Sequence, residues 1–318
     1  MRVLVTGASG FVGAALVQHM LRDPSVHIIA ASREPCTATS ARVESVRIGD
    51  LGPRTEWQEH LAGTEVVVHL AARVHVMHDV SIDPLADFRR VNVDGTLNLA
   101  RQALAAGARR FIHISSIKVN GESTVRGRPF RADDWPLPKD PYGISKYEAE
   151  QGLHRLAAAT SLEVVVVRPP LVYGPGVRGN FRTMMDWIIR GVPLPLGSIE
   201  NRRSLVGLDN LCDLIATCTR HSAAAGQSFL AGDGEDVSTS ELLRRLSAAL
   251  GHPARLLPVP TGFLRGALTI FGKRDIGERL CSSLQVDIDP TRARLGWSPP
   301  VSLDEGLRRA AQAYLAEI

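Results

Sequence analysis

Short continuous apolar runs alternate along the first half of the chain with longer stretches whose apolar residues recur at helical spacing. Residues 2–6 (RVLVT) form the first run, ended by glycine, and in 11–21 the residues Phe11, Ala14, Ala15, Leu16, Val17 and Met20 recur at helix period. The pattern predicts strand, turn, helix. Similar runs predict strands at 27–31 (HIIAA), 46–48, 65–70 (EVVVHL), 111–115 (FIHIS) and 162–167 (LEVVVV), with helices over 86–106 and 142–159. Apolar strands alternating with helices predict a parallel sheet covered on both faces, a doubly wound α/β Rossmann fold.

From Gly174 the rhythm changes. Gly and Pro become frequent (GPG at 174–176, PLPLG at 193–197), and a helix over 181–190 stands without a following strand. A first lobe over 1–173 and a smaller α/β lobe over 174–318 are expected. Segments 204–208 and 228–230 read as strands able to return to the first lobe, so the two are expected to interleave. Residues 302–315 form an amphipathic closing helix with Ser302 placed to cap it. No internal repeat is apparent.

Composition narrows the class. With 318 residues, 44% hydrophobic and 22% charged, the chain is globular rather than disordered or fibrous. The formal net charge of +4 is scattered, with no block suited to nucleic acid. Cys36, Cys212, Cys218 and Cys281 have no C-x-x-C spacing, so neither a zinc site nor a disulfide framework is expected. No apolar run reaches transmembrane length and no leader-like segment opens the chain, so a cytoplasmic enzyme is expected.

Thr6-Gly7-Ala8-Ser9-Gly10-Phe11-Val12-Gly13 places three glycines between the first strand and the first helix. Glycine permits the tight turn and close backbone approach, and the helix N-terminus offers N–H groups to a pyrophosphate. The segment is similar to the opening of the extended short-chain dehydrogenase/reductase family, nucleotide-sugar epimerase and 4-ketoreductase type. Later residues agree in order. The resemblance implies that Asp50 and Leu51 hold adenine, that Leu70, Ala71 and Ala72 form the turn beside the cofactor, and that Asn92 (in NVDGT) and Pro169 also line its site. Where NAD-using members end the second strand in an acid, this chain reads Ala31-Ser32-Arg33. Ser32 and Arg33 suit a 2′-phosphate, so NADP is the expected cofactor, with NAD as the alternative.

Tyr142-Gly-Ile-Ser-Lys146 sets a tyrosine and a lysine on one face at the start of a predicted helix. A neighbouring ammonium is expected to lower the phenol pKa toward the working range of a proton donor and acceptor. In the family a hydroxyl that steadies the reacting oxygen follows the preceding strand. SSIKVNG is similar to SSxxVYG, which makes Ser116 the match and Ser115 the alternative, while Lys118 and Asn120 depart from the pattern. Tyr142 and Lys146 are also implied cofactor contacts.

The second half resembles the family's nucleotide-sugar lobe. Arg168-Pro-Pro-Leu-Val-Tyr-Gly-Pro is similar to R-x-x-N-V-Y-G-P, with Leu171 where asparagine is frequent. The resemblance implies Asn180, one of Arg202 and Arg203, and Arg279 as diphosphate contacts, with Ser116 at the sugar. His69, His75 and His78 fit no common zinc spacing, and no metal is expected. Met184, Met185 and Trp187 read as core or pocket wall. The resemblance implies an NADPH-dependent reductase or dehydrogenase at C4 of a UDP-linked, 2-acetamido-type sugar in surface polysaccharide synthesis, UDP-N-acetylquinovosamine 4-dehydrogenases included. A UDP-sugar 4-epimerase with retained NAD is the alternative, a non-catalytic dinucleotide-binding regulator the rival of another class, and a homodimer the implied assembly.

Overall fold

A computed structural model describes the chain except residues 37, 39, 75–81, 271 and 273. His75 and His78 lie outside the described residues. Strands β1 (Arg2–Thr6), β2 (His27–Ser32), β3 (Val43–Arg47), β4 (Val66–His69), β5 (Arg110–Ile114), β6 (Glu163–Arg168) and β9 (Ser228–Leu230) form a parallel sheet ordered β3-β2-β1-β4-β5-β6-β9. Side chains alternate across it. Val3, Val5, Ile28 and Val68 pack under α1 (Phe11–Met20), while Leu4, Ile29, Val67 and Phe111 face the opposite layer. That second layer is built from α2 (Pro84–Arg89), α3 (Thr96–Ala105) and α4 (Pro141–Ala158). Double-sided burial is why these strands read as unbroken apolar runs, each large side chain contributing about 1.5–3 kcal/mol.

The expected single helix over 86–106 is instead α2 and α3 joined by a π-helical turn, Arg90–Gly95. Two close contacts coincide with this widened turn. Asn92 is buried inside it, and a Cβ on Gly95 would lie 2.9 Å from Leu51 Cγ.

The second lobe holds β7 (Leu171–Tyr173), β8 (Arg203–Gly207) and β10 (Asp236–Val237) in a three-stranded sheet ordered β10-β8-β7. Around it lie α5 (Gly179–Ile189), α7 (Thr239–Leu250), α8 (Thr261–Ile270), α9 (Arg274–Cys281) and α11 (Leu303–Leu315). Segment 204–208 therefore does not pair with the large sheet, although Val206 and Leu208 pack into the core beneath it. The elements that return to the first lobe are α6 (Leu208–Arg220), packed on α1, and β9, while α10 (Asp289–Leu295) sends Leu295 into the same core. Ser302 caps α11 by accepting from Glu305 N, and Met184 and Met185 are core. No helix among the described residues is long and apolar enough to cross a membrane.

Candidate active site

The C-terminal end of β1 turns through Gly7 at φ +70° into the start of α1. A Cβ on Gly13 would stand 2.1 Å from Gly7 O, and one on Gly7 would stand 2.9 Å from Ala71 N. The loop is thus closed against the 70–72 turn, which is fixed in turn by Ala71 N donating to Thr6 Oγ1 at 3.2 Å. No side chain caps α1, so the backbone N–H groups of Phe11, Val12 and Gly13 form an anion cradle at its positive end, with exposed Ser9 and Gly10 at the rim. This cradle, which a single Cβ would fill, fits a dinucleotide pyrophosphate.

Across the sheet, Asp140 caps α4, its Oδ1 accepting from Gly143 N at 2.7 Å, and Pro141 occupies the first turn. That cap places Tyr142 at the cleft and Lys146 one turn inward. Lys146 Nζ donates to the Ile114 carbonyl at 2.7 Å and the residue is 2% exposed. Ser116 follows β5; its hydroxyl accepts from Lys118 N at 3.2 Å and lies near enough to the Tyr142 phenol to favour its ionised form. Ile117 N donating to Pro169 O at 3.0 Å holds this loop on the end of β6. Ser115 points into the interior, its hydroxyl buried and unpartnered, so Ser116 is the serine brought to the tyrosine.

The electrostatics differ from expectation. Loss of hydration pushes the Tyr142 phenol up to about 12, with the Ser116 hydroxyl opposing and the Asp140 carboxylate adding to the rise. Burial pushes Lys146 down to about 8, opposed by Glu150. The ammonium is spent on the Ile114 carbonyl, and desolvation dominates at the phenol. His69 is held between Thr6 Oγ1 (2.8 Å) and Thr96 Oγ1 (2.9 Å), and burial lowers it to about 3. It is a neutral core histidine, and no group able to hold a metal ion occurs among the described residues.

Other predicted residues divide into those the fold brings together and those it separates. Asn92 faces inward: its amide accepts from Arg73 N at 2.8 Å and donates to Arg73 O and Ser145 Oγ, both at 3.0 Å. It ties the 70–73 turn to α4, with both amide hydrogens engaged and one acceptor site of Oδ1 left. Asp50 is exposed, Leu51 is buried, and Arg33 Nη1 stands 3.7 Å from Asp50 Oδ1 at the mouth of the sheet. Buried Ser32 donates its hydroxyl to Glu34 O at 2.5 Å.

Arg202 and Arg203 part company where the chain enters β8, Arg202 lying just before the strand and Arg203 being its first residue. Arg203 Nη1 donates to Arg279 O at 2.8 Å and to Ser282 O at 3.2 Å, which places it beside α9. Arg202 donates to Asp236 O at 3.2 Å and lines a separate cavity of roughly 750 Å3 with Arg126, Glu200 and Arg244. Asn180 is exposed in the first turn of α5.

Residues the sequence reading left without a role form the support. Arg168 makes a buried bidentate pair with Glu150 (3.0 and 2.6 Å) and donates to Asn120 Oδ1 at 3.0 Å. Asn120, one departure from the family pattern, thus orients this arginine. Asp140 was missed, although Asp-Pro just before an apolar-periodic helix is a cap signature.

Comparison with known proteins places the chain. The family model "NAD dependent epimerase/dehydratase family" matches residues 3–232. A UDP-glucose 4-epimerase of Vibrio cholerae is 48% identical over 314 residues, 98% of this chain and 95% of that protein. The chain belongs to the NAD dependent epimerase/dehydratase family. It is therefore an NAD(P)-dependent enzyme of the extended short-chain dehydrogenase/reductase type. A second UDP-glucose 4-epimerase, from Mycolicibacterium smegmatis, is 30% identical and covers 99% of the chain and 98% of its own length. The dTDP-glucose 4,6-dehydratase DesIV of Streptomyces venezuelae, solved with NAD and TYD bound, superposes with TM-score 0.78 at 26% identity over 99% of this chain and 97% of its own. UDP-glucuronic acid 4-epimerase of Bacillus cereus, in complex with NAD, shares the fold at TM-score 0.81 and 22% identity, covering 100% and 99% of the two chains.

Proposed function

We propose that this family member interconverts C4 epimers of a UDP-hexose or UDP-2-acetamido-hexose with a retained NAD. The observation that carries this is the Ser116–Tyr142–Lys146 group at the same end of the parallel sheet as the glycine cradle, in a chain so similar along its length to a UDP-glucose 4-epimerase. The reductase, expected first, has less support from the relatives, since the 48% identical protein and two others are named as epimerases acting on sugar diphosphates. A non-catalytic regulator is set aside by family membership and the intact trio.

Gly7, Gly10, Gly13 and the N–H groups of α1 would hold the pyrophosphate, with Leu51 against the adenine and Lys146 at the nicotinamide ribose. The bound dinucleotide supplies a hydride acceptor and donor at the sugar C4. In its ionised form Tyr142 takes the proton from O4 as C4 is oxidised and returns it on reduction, so the cycle consumes no proton. Ser116 hydrogen-bonds the same oxygen in both states. Arg203, whose guanidinium reaches the Arg279 backbone carbonyl, would clamp the diphosphate together with Arg279 and Asn180; Arg202 would not take part. Size measurement in solution would test the homodimer that the resemblance implies.

One observation favours the reductase with NADP as a second reading: Ser32 and Arg33 stand where an acid would refuse a 2′-phosphate. The Arg33–Asp50 pair is highly exposed and therefore weak, leaving the guanidinium able to turn to a phosphate. Incubation with UDP-glucose or UDP-N-acetylglucosamine, without added reductant, is expected to give the C4 epimer. Stoichiometric NADPH loss with a UDP-4-keto-sugar and no epimer formation would replace the first reading by the second.

A further inference from the structure

One ion pair, Lys118 Nζ to Asp140 Oδ2, joins the loop after β5 to the start of α4. Both of its ends lead to the proposed chemistry. On one side the Lys118 backbone N–H donates to the Ser116 hydroxyl; on the other, the second oxygen of Asp140 caps the helix whose first turn carries Tyr142. The seam is close-packed, since a Cβ on Gly143 would lie 3.1 Å from the Lys118 carbonyl oxygen and 3.3 Å from its Cβ. The Asp140 carboxylate also acts through space on the Tyr142 hydroxyl, favouring its protonated form.

We propose that Lys118 is a positioning residue for the reaction, its ammonium fixing the Ser116 loop against the helix of Tyr142 and cancelling the Asp140 charge beside the phenol. This rests on the proposed role of Tyr142 as the proton carrier at O4. The other groups around the phenol are already engaged. Lys146 is held on Ile114 O, Arg89 pairs with Glu148, and Arg73 lies 3.8 Å from Asp87 and stacks over Phe88, whose ring meets that of Tyr142 edge-on. Glu122, 3.8 Å from Lys118, competes with Asp140 for its charge. His69 and His113 are neutral and buried.

Without Lys118 the uncancelled carboxylate holds the phenol protonated to higher pH. Lys118→Met is expected to lower the epimerisation kcat at pH 7 by about threefold to tenfold, with the loss shrinking as pH rises. Lys118→Arg should restore the wild-type profile. Asp140→Asn, which keeps a good helix cap, should move the profile to lower pH, and adding Lys118→Met to it should move it no further.

The same four proteins, labelled with 13Cζ-tyrosine and titrated by NMR with NAD present, report the Tyr142 ionisation directly, its signal assigned with Tyr142→Phe. An upward displacement in Lys118→Met that disappears on the Asp140→Asn background supports the proposal. Unchanged Tyr142 titration in Lys118→Met, or equal losses in Lys118→Arg and Lys118→Met, overturns it. If the wild type turns over no UDP-sugar, the functional reading fails, and the NMR series alone still decides the role of Lys118.

Discussion

Lys146 lies inside the protein with one carbonyl, that of Ile114, in place of its hydration shell. Desolvation therefore lowers its pKa from 10.5 to about 8, with Glu150 recovering part of the loss. Between those two values the unfolded chain binds the extra proton, so this residue makes stability rise with pH from about 8 to 10.5. Below that window the folded state carries the full penalty. Lys146→Met is accordingly expected to raise stability at pH 7 by about 1–3 kcal/mol in urea melts, an advantage that fades as pH nears the unfolded-state value. The same variant should lose epimerisation by about 10²–10⁴-fold. A variant less stable than wild type at pH 7 would show that the hydrogen bond to Ile114 outweighs desolvation. The positions of Tyr142 and Lys146 were legible because a fixed spacing on a helix puts them on one face. The direction of the tyrosine pKa was not, since it depends on which groups exclude water from the phenol and on where the ammonium actually binds.

At the scale of elements, the glycine turn separates what a motif states from what packing enforces. All three glycines belong to one pattern, yet their surroundings differ. A Cβ at position 13 meets Gly7 O at 2.1 Å, and Gly7 cannot retreat because its own Cβ position is 2.9 Å from Ala71 N; at position 10 the nearest atom is 3.1 Å away. Gly13→Ala should weaken NAD binding more than about 100-fold by calorimetry with the far-UV spectrum retained, whereas Gly10→Ala should weaken it only several-fold. Equal losses would mean that the ligand, not the protein backbone, sets the glycine requirement. The strands of the large sheet were readable because burial on both faces gives unbroken apolar runs. Two features were not. The π-helical turn at Arg90–Gly95 differs from an α-helix in hydrogen-bond register, which apolar periodicity does not report, and β8 chooses its partners, β7 and β10, through contacts remote in sequence.

For the whole molecule, the boundary near residue 173 that composition suggests is not a boundary of the hydrophobic core. The core over β1 and β2 is completed by Leu208, Leu211, Leu214, Ile215 and Cys218 from α6, Phe229 from β9, and Leu295 and Trp297 from the last part of the chain. Arg110, 1% exposed in β5, reinforces the connection: it pairs with Glu163 and donates to the carbonyls of Cys218 (2.7 Å) and His221 (2.9 Å) where α6 ends. In a fragment of residues 1–173 these partners are gone. Val3, Val5, Leu16, Val17 and Val165 would face water, and the Arg110 guanidinium would keep only Glu163. At about 25 cal/mol per Å² of newly exposed apolar surface, roughly 600 Å² is enough to cancel the 5–15 kcal/mol by which a typical domain is stable. The fragment is therefore expected to lack a cooperative urea transition and to bind a hydrophobic dye, while the full chain unfolds in one transition. A 1–173 fragment that melts cooperatively and binds NAD with the affinity of the full chain would show that the first lobe is self-sufficient and that α6 and β9 only decorate it.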